Sequence, residues 1–210
     1  MARLLHIESS PRKRRSASIG VAHAFLDAYR QAHPADDIEV LDLWQTSLPP
    51  FDGAVIDAKY RILHGESHTA AEKEAWRAVE EIIAHFKGFD KYLFSLPMWN
   101  FGIPYILKHY IDIIAQPGYT FSYSPQEGYK GLVTGKPVVL IYARGGAYPA
   151  GTPAEAMDLQ KRYLETILGF FGFTDFKSMM VEPTLMRGPA EAARIVEEQK
   201  AAARTLAAGF

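Results

Sequence analysis

Cysteine is absent from the 210-residue sequence. The protein can therefore form no disulfide, and it offers no thiolate nucleophile, no CxxC redox pair and no cysteine-ligated zinc or iron–sulfur cluster. If the protein carries out redox chemistry, the electrons must reside on a bound cofactor.

A surplus of charge is missing as well, because 23 basic side chains stand against 24 acidic ones and the formal net charge is −1. Such a chain has no summed field that would draw it to nucleic acid or to an anionic lipid surface. Apolar runs such as residues 138–141 are far shorter than the roughly 20 residues that a membrane span needs. Charged residues follow Met1 too early for a signal-peptide core. We therefore expect a cytoplasmic protein with no nucleic-acid or membrane partner.

The composition is that of a globular chain, with 48% hydrophobic and 22% charged residues. Neither a repeat nor a Pro/Gly/Ser-rich linker divides the sequence, so we expect a single domain over residues 1–210. Aromatic residues are abundant, with three Trp, eleven Tyr and twelve Phe. A bound planar ligand would be one use for them.

Short apolar runs alternate with longer amphipathic stretches. The runs predict five strands, at residues 4–7, 38–43, 91–96, 137–143 and 173–181. Helices are predicted to begin near Ser16 or Ser18 and after Thr69, and to cover 104–115, 154–169 and 189–206, whereas 46–69 is expected to be irregular. This alternation predicts an α/β protein with a three-layer, doubly wound fold of the flavodoxin type, whose five-stranded parallel sheet has the order 2-1-3-4-5.

In such a sheet, ligands bind beyond the carboxyl ends of the strands where the strand order reverses, which singles out the loops after strands one, three and four. The first loop combines hydroxyl groups with an Arg/Lys run at a helix N-terminus. Ser10, Ser16 and Ser18 can donate hydrogen bonds to a phosphate, and Arg12 adds positive charge. The loop lacks the glycines of a Walker A loop or a GxGxxG fingerprint. A solvated basic turn with ordinary helix caps explains the same residues equally well.

The second loop places Met98, Trp99 and Phe101 at the ligand edge, after Pro97. Large apolar side chains at such an edge are costly to leave in water, and they suit a planar aromatic ligand. Asn100 offers both a hydrogen-bond donor and an acceptor. The alternative is that these aromatic residues only pack the sheet against the next helix.

The third loop runs from Ala143 through Arg144 to the adjacent glycines Gly145 and Gly146. Adjacent glycines let a backbone approach a ligand closely with its N–H groups exposed, although a simple turn is also common. All three loops fall at the expected ligand edge. Jointly they accommodate a flat heterocycle with a phosphate tail, and FMN fits that description.

Together these motifs resemble the FMN-dependent NADH-azoreductases, which belong with the flavodoxin-like NAD(P)H:quinone oxidoreductases. The resemblance covers nearly the whole chain and rests mainly on the string Met-Trp-Asn-Phe-Gly-Ile-Pro at 98–104 and the string Pro-Gly-Tyr-Thr-Phe-Ser-Tyr at 117–123. Further shared segments are residues 9–12, 16–18, 131–136, 144–146 and 168–170.

The resemblance implies an FMN site that draws on all three loops. The expected cofactor-binding residues are Ser10, Arg12, Ser16, Ala17 and Ser18 at the phosphate, Pro97, Met98, Trp99, Asn100 and Phe101 along the isoalloxazine and ribityl chain, and Ala143, Arg144, Gly145 and Gly146 at the pyrimidine edge. Many members have Ser where this chain has Ala143, so a hydroxyl contact is lost there while backbone contacts remain.

The resemblance also implies the reaction. NADH or NADPH would deliver hydride to FMN N5, and a quinone or an azo compound would then take two electrons at the same face, so that no catalytic base is required. Tyr148 is a weak candidate for assisting the reduced ring, a role assigned mainly to the glycine amides of the third loop. Tyr119, Phe121 and Tyr123 are expected to line the substrate slot or, equally well, to be core or dimer residues. A homodimer with the flavin site at its interface is expected.

Other functions are open on the same residues. A non-catalytic flavodoxin-type electron carrier, or a flavin-binding regulatory protein, would bind FMN equally well, although such carriers are typically shorter and strongly acidic. No metal site is expected, since His64 and His68 have no third ligand nearby. His6 lies in a predicted strand and is expected to be a core histidine.

Overall fold

The computed structural model describes residues 1–64, 66–67 and 69–210. Its central sheet has five parallel strands in the order β2-β1-β3-β6-β7. The sheet strands are β1 (Arg3–Glu8), β2 (Asp37–Asp42), β3 (Lys91–Pro97), β6 (Val138–Ala143) and β7 (Phe176–Val181), and a separate antiparallel hairpin consists of β4 (Phe121–Ser124) and β5 (Gly128–Gly131). Counted along the sheet alone, this is the predicted order 2-1-3-4-5, so the doubly wound fold is confirmed.

Helices cover both faces of the sheet. They are α1 (Ala17–Ala32), α2 (Gly53–His64), α3 (Ala70–Lys87), α4 (Tyr105–Ile114), α5 (Leu159–Phe171) and α6 (Gly188–Ala208). Alternate residues of β6 enter different cores: Val138 and Leu140 pack with α3, α4 and α5, whereas Val139 and Ile141 pack with α1 and α6. The continuous apolar run of this strand follows from burial on both faces.

The strand register brings the carboxyl ends of three strands to one edge. Glu8 of β1 pairs with Ser95 of β3, and Pro97 of β3 pairs with Ala143 of β6. The loops after β1, β3 and β6 therefore leave the sheet side by side. These are the three loops that the sequence singles out.

The prediction of an irregular stretch over 46–69 is wrong for its centre, where α2 forms. Asp52 supplies the start signal, because its Oδ1 accepts the N–H groups of Ala54 and Val55 at 3.1 and 3.3 Å. Val55 and Ala58, three residues apart, are buried and form the inner face of the helix. The many Pro and Gly residues around this segment hid that signal.

Two further elements differ from the prediction. A short 3-10 helix covers Pro153–Met157, and α5 begins only at Leu159, because the Asp158 carboxylate accepts the N–H of Lys161 and caps the helix there. The β4–β5 hairpin was not expected; it packs the ring of Phe121 on Phe170 of α5, with centroids 4.5 Å apart. Among the described residues no helix is long and apolar enough to span a bilayer.

Candidate functional site

A cavity of about 530 Å³ opens at the carboxyl edge of the sheet, and we call it the edge cavity. Its volume lies within the range of small-molecule and cofactor sites, about 300–1,000 Å³. Residues from all three loops line it together: Ser10, Arg12, Ser16, Ala17, Pro97, Met98, Trp99, Ala143 and Gly145. The structure thus brings nine of the predicted site residues to one cavity. Ser18, Asn100, Phe101, Arg144 and Gly146 belong to the same loops but do not line it.

The N-terminus of α1 forms one end of the edge cavity. Ser16 caps the helix, with its Oγ 3.4 Å from the N–H of Ile19 and 3.1 Å from the Oγ of Ser18. The N–H groups of Ala17 and Ser18 meet no acceptor within the described part of the chain. Unpaired N–H groups at the positive end of a helix dipole make this end suited to a phosphate.

The basic run beside α1 divides into two roles. Arg12, Arg14 and Arg15 line the edge cavity, and none has a carboxylate within ion-pair distance among the residues described. Lys13, with a φ of 46°, turns the other way and pairs with Asp42. Three cations therefore remain for an anionic ligand, while the lysine holds the turn that presents them.

The second loop is a tight turn in a strained backbone conformation. Trp99 and Gly102 exchange N–H···O hydrogen bonds of 3.0 and 2.9 Å around Asn100 and Phe101, whose φ values are 47° and 68°. Left-handed conformations cost non-glycine residues about 1–3 kcal/mol each and persist where surrounding contacts enforce them, often at functional sites. The Met98 N–H donates to the carbonyl of Ala143 at 2.8 Å and couples this turn to the third loop.

Trp44 is a site residue that sequence reasoning missed. Its Nε1 donates to the carbonyl of Ser9 at 2.9 Å, and its ring lies 6.0 Å from that of Trp99 and 5.5 Å from that of Tyr105. The indole therefore ties the first loop to the second. Its position two residues after β2, at the same edge of the sheet, is the signal that could have found it.

The third loop offers unpaired donors to the edge cavity. The N–H groups of Gly145 and Gly146 have no acceptor among the residues that the structure describes. The carbonyl of Gly145 accepts the N–H groups of Leu185 and Met186, so the loop after β7 lies against it. A Cβ on Gly145 would stand 2.9 Å from Cδ1 of Leu185, so that a larger residue here would displace the Leu185 side chain. Leu185 also lines the edge cavity and was not anticipated.

The Arg144 side chain does not enter the edge cavity. It is buried and ion-paired with Asp158 and Glu182. Its backbone N–H donates to the carbonyl of Val181, so that this group is not available to a ligand in the cavity. The expectation that Arg144 contacts a cofactor directly finds no support in this geometry.

The predicted substrate residues lie on the hairpin side of the molecule. Tyr119 donates to Glu80, Phe121 packs on Phe170, and the exposed Tyr123 packs on Tyr129 with centroids 4.9 Å apart. None of the three lines the edge cavity. Their role in substrate binding stays a prediction.

Tyr148 lies close to the third loop. Its hydroxyl would be 3.3 Å from a Cβ placed on Gly146, and its ring centroid is 5.7 Å from Cζ of Arg144. It is not among the residues that line the edge cavity.

A second cavity, of about 690 Å³, lies on the other side of Trp99, and we call it the aromatic cavity. Apolar and aromatic side chains dominate its wall, including those of Phe51, Ile103, Tyr105 and Tyr163, and Asn100 is one of its polar residues. Trp99 lines both cavities and separates them.

His6 is a core residue, as expected. It is fully buried, its Nε2 lies 2.9 Å from the Oγ of Ser95, and burial lowers its pKa from 6.5 to about 3, so it is neutral at pH 7. Of the histidine pair considered for a metal, His68 lies outside the described residues. Elsewhere in the described chain no group of three His, Cys, Asp or Glu side chains could hold a metal ion.

Comparison with known proteins agrees with the fold and gives the family. A family model described as "Flavodoxin-like fold" matches residues 2–206. An FMN-dependent NADH:quinone oxidoreductase of Nitratidesulfovibrio vulgaris strain DP4 is 53% identical over 210 residues, covering 100% of both chains, and one of Desulfotalea psychrophila is 54% identical over 185 residues, covering 88% of this chain and 87% of its own. The crystal structure of an azoreductase from Bacillus anthracis superposes with a TM-score of 0.91 at 31% identity, covering 100% of both chains.

Proposed function

The chain belongs to the flavodoxin-like family of FMN-dependent NADH:quinone oxidoreductases, and from this membership we propose that it binds FMN in the edge cavity. It is an enzyme that uses FMN and NADH to reduce quinones. The observation that carries the placement is the polarity of the cavity: the helix end that lines it has an unpaired N–H group at Ala17, and the third loop that lines it has an unpaired N–H group at Gly145. FMN has acceptors at two matching ends, since it carries a phosphate at one end and the polar edge of its ring at the other.

At the phosphate end, the free N–H groups of Ala17 and Ser18 and the hydroxyl groups of Ser10 and Ser16 would bind the FMN phosphate. Arg12 lies beside them without a carboxylate partner in the part of the chain that is described. Charge-assisted hydrogen bonds of this kind are the stronger ones, so this end supplies affinity. It takes no part in the redox step.

At the ring end, Met98 and Trp99 would form an apolar wall that excludes water from one side of the flavin. When bound, FMN supplies the redox chemistry, because its N5 accepts hydride from NADH and its ring passes two electrons to the quinone. The unpaired N–H groups of Gly145 and Gly146 would donate to the polar edge of the ring and stabilise the negative charge of its reduced form. The chain itself supplies no nucleophile.

We propose that NADH and the acceptor bind in turn at the same open side of the edge cavity, which would give a ping-pong reaction. Aromatic azo compounds are flat two-electron acceptors of similar shape, and the 31%-identical structural neighbour is an azoreductase. We expect this chain to cleave them to amines, with parallel lines in double-reciprocal plots of rate against NADH at several acceptor concentrations. Intersecting lines would contradict the ping-pong order.

A homodimer is the proposed assembly. Exposed apolar side chains gather near the two cavities, among them Tyr105, Leu159, Leu185 and Met186. Exposed apolar clusters of this kind mark interaction surfaces. Sedimentation at micromolar concentration would give a mass twice that of the 23.5 kDa chain, and a monomer there would contradict this assembly.

The test of the function is turnover with a quinone. The purified chain, saturated with FMN, should oxidise NADH in the presence of a benzoquinone and much more slowly without it. A yellow protein without such turnover would support the electron-carrier or regulatory function instead. A colourless protein that ignores added FMN would exclude the flavin site.

A further inference from the structure

The guanidinium of Arg144 joins three separate segments beside the edge cavity. Its side chain is 1% exposed. Nε donates to Oε1 of Gln160 at 3.0 Å, Nη1 donates to Oε2 of Glu182 at 3.2 Å, and Nη2 lies 2.8 Å from Oδ2 of Asp158. The start of α5, the end of β7 and the third loop therefore converge on one buried cation.

The backbone of Arg144 is fixed just as fully. Its N–H donates to the carbonyl of Val181 at 3.0 Å, and its carbonyl accepts both the N–H and the Oγ1 of Thr184 at 2.8 Å. The next carbonyl, that of Gly145, accepts two more N–H groups of the same loop at 3.1 and 3.2 Å. The backbone N–H and carbonyl, Nε and Nη1 of Arg144 are thus hydrogen-bonded to protein, and Nη2 is ion-paired with Asp158. The N–H groups of the two following glycines have no acceptor among the described residues.

We propose that Arg144 is a positioning residue, which holds the Gly145 and Gly146 amides against the polar edge of the flavin ring without touching the flavin. This inference rests on the proposed function, because it presupposes that a flavin lies in the edge cavity. Glycine gives the loop freedom that would otherwise spread these donors over many directions. Because both the side chain and the backbone of Arg144 are held, the loop that follows it loses this freedom before the ligand binds.

The shape of arginine is needed for this role. A planar guanidinium meets three acceptors in three directions at once, whereas a lysine ammonium is a single point on a flexible stem. Asp158 would not move to meet a lysine at position 144, because its Oδ1 also accepts the N–H of Lys161 and caps α5. Arg144→Lys should therefore keep the charge and lose the geometry.

Titration with two flavins distinguishes effects at the ring end of the edge cavity from effects at its phosphate end. FMN and riboflavin share the ring and the ribityl chain, and only FMN carries the phosphate. We would titrate the apoprotein of wild type and Arg144→Lys with each flavin, following the quenching of flavin fluorescence, and record the visible spectrum of the bound flavin. The matched controls are Arg12→Met, at the phosphate end, and Arg194→Met, in an exposed ion pair on α6.

The expected pattern is specific. Arg144→Lys should weaken FMN and riboflavin alike, by about tenfold, the lower end of the range for outer residues that orient metal ligands, which act in the same indirect way. It should also shift the visible spectrum of the bound flavin. Arg12→Met should weaken FMN alone, and Arg194→Met neither flavin. If Arg144→Lys lowers the melting temperature but binds both flavins as wild type does, the residue is merely structural and the inference is wrong. A loss confined to FMN would overturn it too.

A milder variant keeps the test decisive if Arg144→Lys does not fold. Gln160→Met removes only the Nε acceptor and leaves both ion pairs in place. It should weaken both flavins equally, by a smaller factor, and unchanged affinities in this folded variant would contradict the inference. Wild-type protein that binds neither flavin would refute the proposed function first, and the role of Arg144 with it.

Discussion

At the β1 end of the edge cavity, Arg12, Arg14 and Arg15 line the wall with no carboxylate partner in the described chain. At the β6 end, Arg144 is buried with three partners and does not line the edge cavity. The unpaired arginines offer their charge to a ligand, whereas the guanidinium of Arg144 is bound to the side chains of Gln160, Glu182 and Asp158. Residue type therefore does not reveal the role of an arginine near a site. The groups that already surround it do.

The strongest way to break this contrast is Arg144→Met. Removing the buried cation leaves the carboxylates of Asp158 and Glu182 facing one another, and loss of one member of a buried ion pair typically costs about 3–5 kcal/mol. Urea unfolding should show that loss in the free energy of unfolding. Arg194→Met, which breaks an exposed ion pair on α6, should leave the unfolding midpoint unchanged. Equal changes in the free energy of unfolding of the two variants would contradict the structural role given to the buried ion pairs of Arg144.

Lowering the pH tests His6, which lies in β1, the strand that precedes the first loop. His6 has a pKa of about 3 when folded and 6.5 when unfolded, so between these values the unfolded chain binds the extra proton and stability falls as pH falls. The loss approaches about 1.4 kcal/mol per pH unit below 6.5, or about 2 kcal/mol from pH 6.5 to 5. Across this range, the free energy of unfolding should depend more steeply on pH in wild type than in His6→Gln. Parallel pH profiles would show that His6 is not the proton-binding group.

Gly145→Ala tests the β6 end with a single methyl group. The new Cβ would stand 2.9 Å from the end of the Leu185 side chain, which is 75% exposed and able to move, so the chain should still fold. The displaced loop should lower the affinity for FMN and riboflavin alike by several-fold, read by flavin titration. Gly169→Ala, in α5 with nothing within 4 Å, is the control and should raise stability by about 0.5–1 kcal/mol.

The smallest expected effect is that of Ser16→Ala at the other end. The variant loses the cap of α1, at a cost of about 1 kcal/mol in stability. It also loses one hydroxyl at the phosphate, so calorimetry should show weaker FMN binding and unchanged riboflavin binding. A parallel loss for riboflavin would mean that the first loop contacts more than the phosphate.

The sequence predicts this fold and the three loops because both depend on local signals. Alternation of apolar runs identified the five sheet strands, and the parallel-sheet rule then gave the edge where Ser16, Trp99 and Gly145 meet. Start signals were harder to see where Pro and Gly were frequent, as the cap at Asp52 shows. A reading of the hydrophobic pattern therefore misses elements whose start depends on a single capping residue.

What sequence reasoning could not give is the set of partners. Arg144 meets Gln160 and Glu182 across 16 and 38 positions, and Trp44 reaches Ser9 across 35. No local period encodes such pairs, because they depend on how separate loops pack after the sheet has formed. The same reasoning placed Arg144 among the cofactor contacts for its position beside two glycines, and the structure gives its side chain to the protein interior.

Of the three tryptophans, Trp99 lines both cavities, and the ring centroid of Trp44 lies 6.0 Å from that of Trp99. Indole emission overlaps flavin absorption, so a flavin in the edge cavity would accept their excitation energy. The third, Trp76, is packed in the core with Tyr119 and lines neither cavity. The molecule thus carries in Trp99 its own optical reporter of an occupied site.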